Sequence, residues 1–200
     1  MPHRYVNPTS EDQVEFLFHL YFGGTADRLQ LAINRAYQDF SRTVHGIGAY
    51  PNARQQATKL IHNAIAELPQ IQHTASQAVF DSWHKKATMD LCDAYSNAGY
   101  KTFFVGQAQK WINMTLKYVY VFGESRLPGY QAFYPYCHVP IDNIIMAHEQ
   151  FNSIRTFKCA WSRIDDYGQY LAFQEEVRRK FSNSSPLAVE FLSWQQRSAV

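Results

Sequence analysis

Residues 104–145, FVGQAQKWINMTLKYVYVFGESRLPGYQAFYPYCHVPIDNII, decide how the chain is read. From Gly106 to Phe122, residues Trp111, Met114, Thr115, Tyr118, Val119 and Phe122 recur every three or four positions, the spacing of a helix that packs on a core. Lys110, Asn113 and Lys117 form a second, polar stripe on the same segment. Gly123, Pro128 and Gly129 end it, and a tyrosine-rich loop leads to Val139-Pro140-Ile141-Asp142, where proline suits the first turn of a new helix. Asp142 is then expected in that first turn, where the helix dipole favours a carboxylate and backbone N–H groups can donate to it. Lys110 and Asp142, far apart in sequence and each near a helix start, are the candidate working pair. Each has a plainer reading alone: Asp142 as a charge that steadies a helix end, Lys110 as a solvated residue at the edge of an amphipathic helix.

Outward from this stretch the same periodicity continues. Thr9-Ser10-Glu11 caps a segment with Val14, Leu17, Phe18 and Tyr21 at helical spacing, stopped by Gly23-Gly24. A longer helix over about 25–44 carries Leu29, Ile33, Ala36, Tyr37 and Phe40 on one side, and a third begins at Pro51 and ends near Pro69. Residues 74–96 place Val79, Trp83, Ala87 and Leu91 on one face, with His84, Lys85 and Lys86 adding positive charge beside the tryptophan. Beyond Asp142, residues Ile144, Ile145, His148, Phe151 and Ile154 read as one helix. Two more run through Tyr170 to Phe181 and from Pro186 towards Trp194. The β-prone run Tyr118-Val119-Tyr120-Val121 sits inside a longer helical pattern, so a strand is rejected there too. The fold class expected is all-α, with residues 1–200 forming a single helical domain.

Composition narrows the function classes. Hydrophobic residues make up 46% and charged residues 18%, with 14 Phe and 13 Tyr, so the chain is globular and unusually aromatic. A formal charge of +2 excludes a basic tail that would saturate a nucleic acid, while leaving room for a local basic surface. Cys92, Cys137 and Cys159 are odd in number and lack CxxC spacing, which argues against a disulfide framework and a zinc site and points to reduced, buried thiols. No metal or cofactor is expected. The start MPHRYVNPTSEDQ has no apolar stretch and no segment approaches a membrane span, so a cytoplasmic monomer away from membranes is expected.

A lysine opening a helix after a glycine-containing turn, followed after a loop by Pro-x-Asp at a helix start, resembles the helix-hairpin-helix DNA glycosylases. The wide separation of Lys110 from Asp142 is similar to the archaeal 8-oxoguanine glycosylase branch. A second lysine two turns on, Lys117, and an acidic residue and a tryptophan one turn apart, Glu190 and Trp194, resemble that branch as well. The likeness covers about 80–195, a glycosylase-like core. It departs in the hairpin: the usual Leu-Pro-Gly-Val-Gly is missing and only Val105-Gly106 survives. A bacterial anti-phage glycosylase group on the same scaffold, which removes glucosylated cytosine bases, is a second point of likeness.

What the resemblance implies is a two-lobed helical bundle that binds DNA, flips out a modified base and excises it. Breaking an N-glycosidic bond passes through a transition state with oxocarbenium character, which a nearby carboxylate stabilises; Asp142 takes that role. A lysine amine attacks the sugar carbon to form a Schiff base once it has lost its proton, and Lys110 is the candidate. A flipped base needs aromatic faces and polar readers: Trp83, Met114 and Trp194 as walls, Lys117 and Glu190 as readers. Lys101 and Gly106 are candidates for the DNA backbone, with Lys85 and Lys86 as further phosphate contacts. A helical ribonuclease that needs an Arg ahead of a His with four to six residues between them does not fit Arg42 with His45, which have two, or Arg54 with His62, which have seven. A non-enzymatic helical interaction module remains as the alternative, its aromatic excess serving core and interface.

Overall fold

Serine, threonine and aspartate stand at the helix starts and use their side chains there. Thr9 accepts from the Asp12 N–H at 3.2 Å and Asp27 from the Gln30 N–H at 2.9 Å, while Ser76 accepts from the Val79 N–H at 3.3 Å and Asp166 from the Gly168 N–H at 2.7 Å. Each such cap contributes about 1 kcal/mol by satisfying an otherwise orphaned donor. The computed structural model describes residues 7–24, 27–154 and 157–196. Among them the α-helices are α1 (Ser10–Phe22), α2 (Arg28–Phe40), α3 (Pro51–Glu67), α4 (Gln77–Asn97), α5 (Val105–Phe122), α6 (Asn143–Ala147), α7 (Tyr167–Lys180) and α8 (Pro186–Gln196). Short 3-10 turns link them, and no strand occurs among the described residues, so the fold is all-α.

Helix α5 is the axis. Its polar stripe is as buried as its apolar one, with Lys110 5%, Asn113 1% and Lys117 9% exposed beside Trp111 at 1%. The cause is enclosure: α2, α4, α7 and the 3-10 turn Trp161–Arg163 all pack on it. The Trp111 indole N–H donates to the Ile33 carbonyl at 3.0 Å and the ring meets Tyr37 edge-on at 5.0 Å, which fixes α2 against α5. At the helix start, the Gly106 N–H donates to the Ile164 carbonyl at 2.9 Å, and a Cβ there would lie 1.8 Å from the Trp161 carbonyl oxygen. Only glycine lets the two backbones approach so closely. One connected apolar cluster runs from Leu29 to Val189, so α2 and α3 share the core of residues 80–195.

Several expectations need correction. In α1 the residues turned inward are Phe18 and Phe22, packed on Phe122 at 4.6 Å each, whereas Val14, Leu17 and Tyr21 are exposed. Residues 25 and 26, where the second helix was expected to begin, lie outside the described residues, and α2 starts at Arg28. His84 adds no positive charge, because it is fully buried and burial pushes its imidazole well below the ordinary range. Asp142 is the cap of α6 and not in its first turn, and Pro140 lies in the extended segment before it. The helix expected over 144–154 breaks after Ala147, where His148 turns extended (ψ 130) and accepts from the Gln150 N–H at 3.3 Å to start a new 3-10 turn. Of the free thiols Cys137 is buried, Cys92 half-buried and Cys159 exposed.

Candidate active site

The extended segment that delivers Asp142 is held by two side-chain amides that act as strand partners. Gln109 donates to the Ile141 carbonyl at 2.9 Å and accepts from its N–H at 3.2 Å. Gln174 does the same for Val139, at 2.9 and 3.0 Å. A backbone too short for secondary structure is thus satisfied inside the core, as a buried backbone must be.

Asp142 divides its oxygens. Oδ1 accepts the N–H groups of Ile144 and Ile145 at 2.8 and 2.9 Å, and Oδ2 accepts Lys110 Nζ at 2.6 Å. The structure therefore brings together the amine and the carboxylate singled out in the sequence, in a charge-assisted contact. Their side chains are 6% and 15% exposed, so the pair is largely shielded from water. One turn and two turns beyond Lys110, Met114 and Lys117 face the same cleft, of about 340 Å³, within the range of roughly 300–1,000 Å³ of small-molecule sites. Lys117 Nζ lies 2.7 Å from Glu190 Oε2, and burial pushes the Glu190 carboxyl up while Lys117 pulls it back.

The opposite wall was missing from the sequence reading. Arg35 and Asp39 of α2 and Arg42 of the 3-10 turn that follows it (Ser41–Thr43) line the cleft, with Tyr21 of α1, Tyr118 of α5 and Ile144 closing it. Arg35 donates to the Tyr21 hydroxyl at 2.9 Å, and the Tyr118 hydroxyl donates to Asp39 Oδ2 at 2.7 Å. Arg35 and Asp39 sit one turn apart on α2, as Lys110 and Met114 do on α5, but charges one turn apart on one amphipathic helix read as a solvated face until the second helix is in place.

Other sequence-selected residues fall elsewhere. Trp83 is not a wall of this cleft; its indole N–H donates to the Ala64 carbonyl at 3.1 Å and its ring packs on Phe80, in the core between α3 and α4. The Gly106 N–H is taken by Ile164 and is closed to a phosphate. Lys101 is exposed on the turn after α4, its amine on the Ser96 carbonyl at 2.8 Å. Lys85 and Lys86 are exposed, the latter paired with Asp90 at 2.6 Å. The side chain of Trp194 lies outside the described residues.

Behind the pair runs a buried polar chain that the sequence reading also missed. The Tyr170 hydroxyl meets His138 Nδ1 at 2.8 Å and accepts from the Asn113 amide at 2.9 Å. His84 bonds Asn113 Oδ1 at 3.1 Å through Nε2 and the Tyr167 hydroxyl at 2.9 Å through Nδ1. An amide oxygen only accepts, so His84 Nε2 carries the proton and the tyrosine donates to Nδ1. His138 Nε2 meets Asp81 at 2.8 Å, and Arg178 bonds the other Asp81 oxygen at 3.1 Å. Burial pushes Asp81 up, but His138, Gln77 and Arg178 outweigh it and hold the carboxyl down to about 2. Burial keeps His138 below the ordinary imidazole range in spite of Asp81.

Fold and site together define an all-helical protein with a shielded amine–carboxylate pair at one end of an open, cation-rimmed cleft. Comparison with protein-family models, with curated proteins and with solved structures finds no match to this chain. Among the described residues no group of three or more His, Cys, Asp or Glu is placed to hold a metal, and no helix is long and apolar enough to cross a membrane.

Proposed function

We propose that the chain is a DNA glycosylase that excises a flipped, modified base and leaves an abasic site. The two substrates in view are a glucosylated hydroxymethylcytosine of phage DNA, as an anti-phage defence, and 8-oxoguanine in repair. The observation that carries the reading is the 2.6 Å contact of Lys110 with Asp142 at a cleft large enough for a base. In this reading Lys110 gives up a proton to water in the cleft, and Asp142 stays ionised beside it. The freed amine attacks the sugar carbon, the bond to the base breaks, and Asp142 stays beside the positive charge that develops on the sugar. Met114 and Tyr118 offer the base apolar and aromatic surface. Arg35 and Arg42 suit the phosphates on either side, and Lys117, paired with Glu190, is a polar reader of the base edge.

The test is incubation with duplexes carrying candidate modified bases, including phage DNA with hypermodified cytosine, followed by assay of released base and abasic sites. Asp142→Asn keeps an oxygen for the Ile144 and Ile145 N–H groups, so it is expected to be folded and inactive. Borohydride trapping reads the narrower claim. Base release without a trapped adduct would make Lys110 a group that positions Asp142.

One observation favours the alternative of a helical interaction module. The outer face of α1 leaves Phe16 63%, Leu17 63% and Leu20 67% exposed, and contiguous apolar surface of this kind marks contact sites. That reading is supported if Lys110 and Asp142 variants alter nothing beyond stability.

A further inference from the structure

We infer that Asp39 is a second catalytic carboxyl of this cleft, the acid that hands a proton to the departing base; the inference rests on the glycosylase reading. Asp39 and Asp142 line the same cleft from different elements, and they are held in opposite ways. Asp142 has both oxygens engaged, by two backbone N–H groups and an amine. Asp39 accepts one hydrogen bond, from Tyr118 to Oδ2, and its Oδ1 has Arg35 only at 4.0 Å. No described residue hydrogen-bonds Oδ1, so that oxygen is free to meet a ligand. A site that breaks a glycosidic bond needs one carboxylate for the developing cation and one protonated carboxyl for the leaving group, and environments that differ in this sense assign the roles.

The groups facing Asp39 are Arg35 from its own helix, Arg42 from the 3-10 turn after it, Tyr21 from α1, Tyr118, Lys110 and Lys117 from α5, and Asp142 beyond Lys110. Burial is the largest influence and raises its pKa above the ordinary aspartate value; Tyr118, Arg35 and the two lysines pull it back only in part. The step balances. The bond from the sugar carbon to the base nitrogen breaks, its electron pair goes to the base, and the Asp39 proton follows. The nucleophile bonds to the sugar carbon, having lost its own proton to water in the cleft, so Asp142 remains the carboxylate beside the sugar. Asp39 is left as a carboxylate with the Tyr118 hydroxyl to stabilise it, and it regains a proton from water.

Asp39→Asn in the full chain is measured by single-turnover base release across pH, on the duplex that wild type cleaves and on one whose base leaves readily without a proton. The expected result is a loss of about 10²-fold or more on the first duplex, a much smaller loss on the second, and disappearance of the fall in rate towards alkaline pH. An equal loss on both duplexes, or an unchanged rate and pH profile, overturns the assignment. Tyr118→Phe covers the case in which Asp39→Asn does not fold. It removes the bond that steadies the carboxylate, so the alkaline limb moves to higher pH, and an unmoved limb refutes the inference. Wild type that releases no base from any duplex sinks the glycosylase reading and this inference together. Wild-type release with an indifferent Asp39 sinks only the second.

Discussion

Lowering the pH from about 8 to about 5.5 should destabilise this protein through two buried histidines, before its exposed carboxylates begin to protonate. His84 and His138 are both fully buried, and burial holds both imidazoles below the ordinary value of 6.5. In the unfolded chain they take up protons below that value, while the folded chain keeps them neutral. The unfolded state then binds more protons, so stability rises with pH in this window and is lost as pH falls. A histidine that stays neutral in the fold at pH 5.5 costs RT ln(1 + 10) or about 1.4 kcal/mol. His84, held well below the ordinary range, should give nearly all of that, and His138, held up in part by Asp81, a fraction. Together they cost more than His84 alone and at most about twice 1.4 kcal/mol, a large share of a net stability of roughly 5–15 kcal/mol. Urea unfolding followed by tryptophan fluorescence at several pH values measures it, and His84→Gln, which keeps a neutral hydrogen-bonding side chain, should remove more than half of the slope. A second loss belongs to Asp81, whose contribution is present above 3.8 and vanishes as pH falls through about 2. Stability that stays flat between pH 7 and 5.5 would refute the neutral histidines.

Gly106→Ala should lower stability by about 2 kcal/mol or more, since the new methyl must push away the Trp161 backbone; a melting temperature equal to wild type would show that the turn yields freely. Lys117→Met strands the buried Glu190 and should cost about 3 kcal/mol, while Lys117→Met with Glu190→Gln should recover most of it in chemical denaturation. Trp83→Phe should lose about 1 kcal/mol with its bond to Ala64 and leave base release unchanged; a selective loss of activity would return Trp83 to the cleft.

The sequence carried the helices well and the site in part. Capping residues, glycine stops and three-and-four spacing are local, and the local rules held for α3, α4, α5, α7 and α8, and for α2 as far as Phe40, where a 3-10 turn replaces the helix expected to run on to Val44. The expected continuous helix over 144–154 failed because apolar spacing cannot register that His148 itself caps a new turn. In α1 two apolar faces compete, and only Phe122 on α5 decides that Phe18 and Phe22 turn inward. Lys110 and Asp142 were legible because each stands near a helix start. Asp39 was not, since a carboxylate on an amphipathic helix reads as solvated until a second helix closes over it. The polar chain through His84, Asn113 and Tyr170 stayed hidden for a related reason: its members sit on different elements and look like ordinary surface residues one at a time.

That chain also explains why a fold would place so many polar groups in its central helix. Replacing buried polar groups with hydrocarbon is often neutral or stabilising, so stability alone does not account for Gln109, Lys110, Asn113 and Lys117 on one buried helix. What they supply is position. Gln109 bonds both Ile141 and, through Asn113, the tyrosine–histidine chain, so the extended segment before Asp142 has one register in which all its groups are satisfied. A slip of one residue would leave Val139 and Ile141 unpaired in the core, at about 1–3 kcal/mol for each buried group. The carboxylate is therefore held at its distance from Lys110 by a network reaching through α5 to α4 and α7, and disrupting Gln109 should disturb that 2.6 Å contact although Gln109 does not line the cleft.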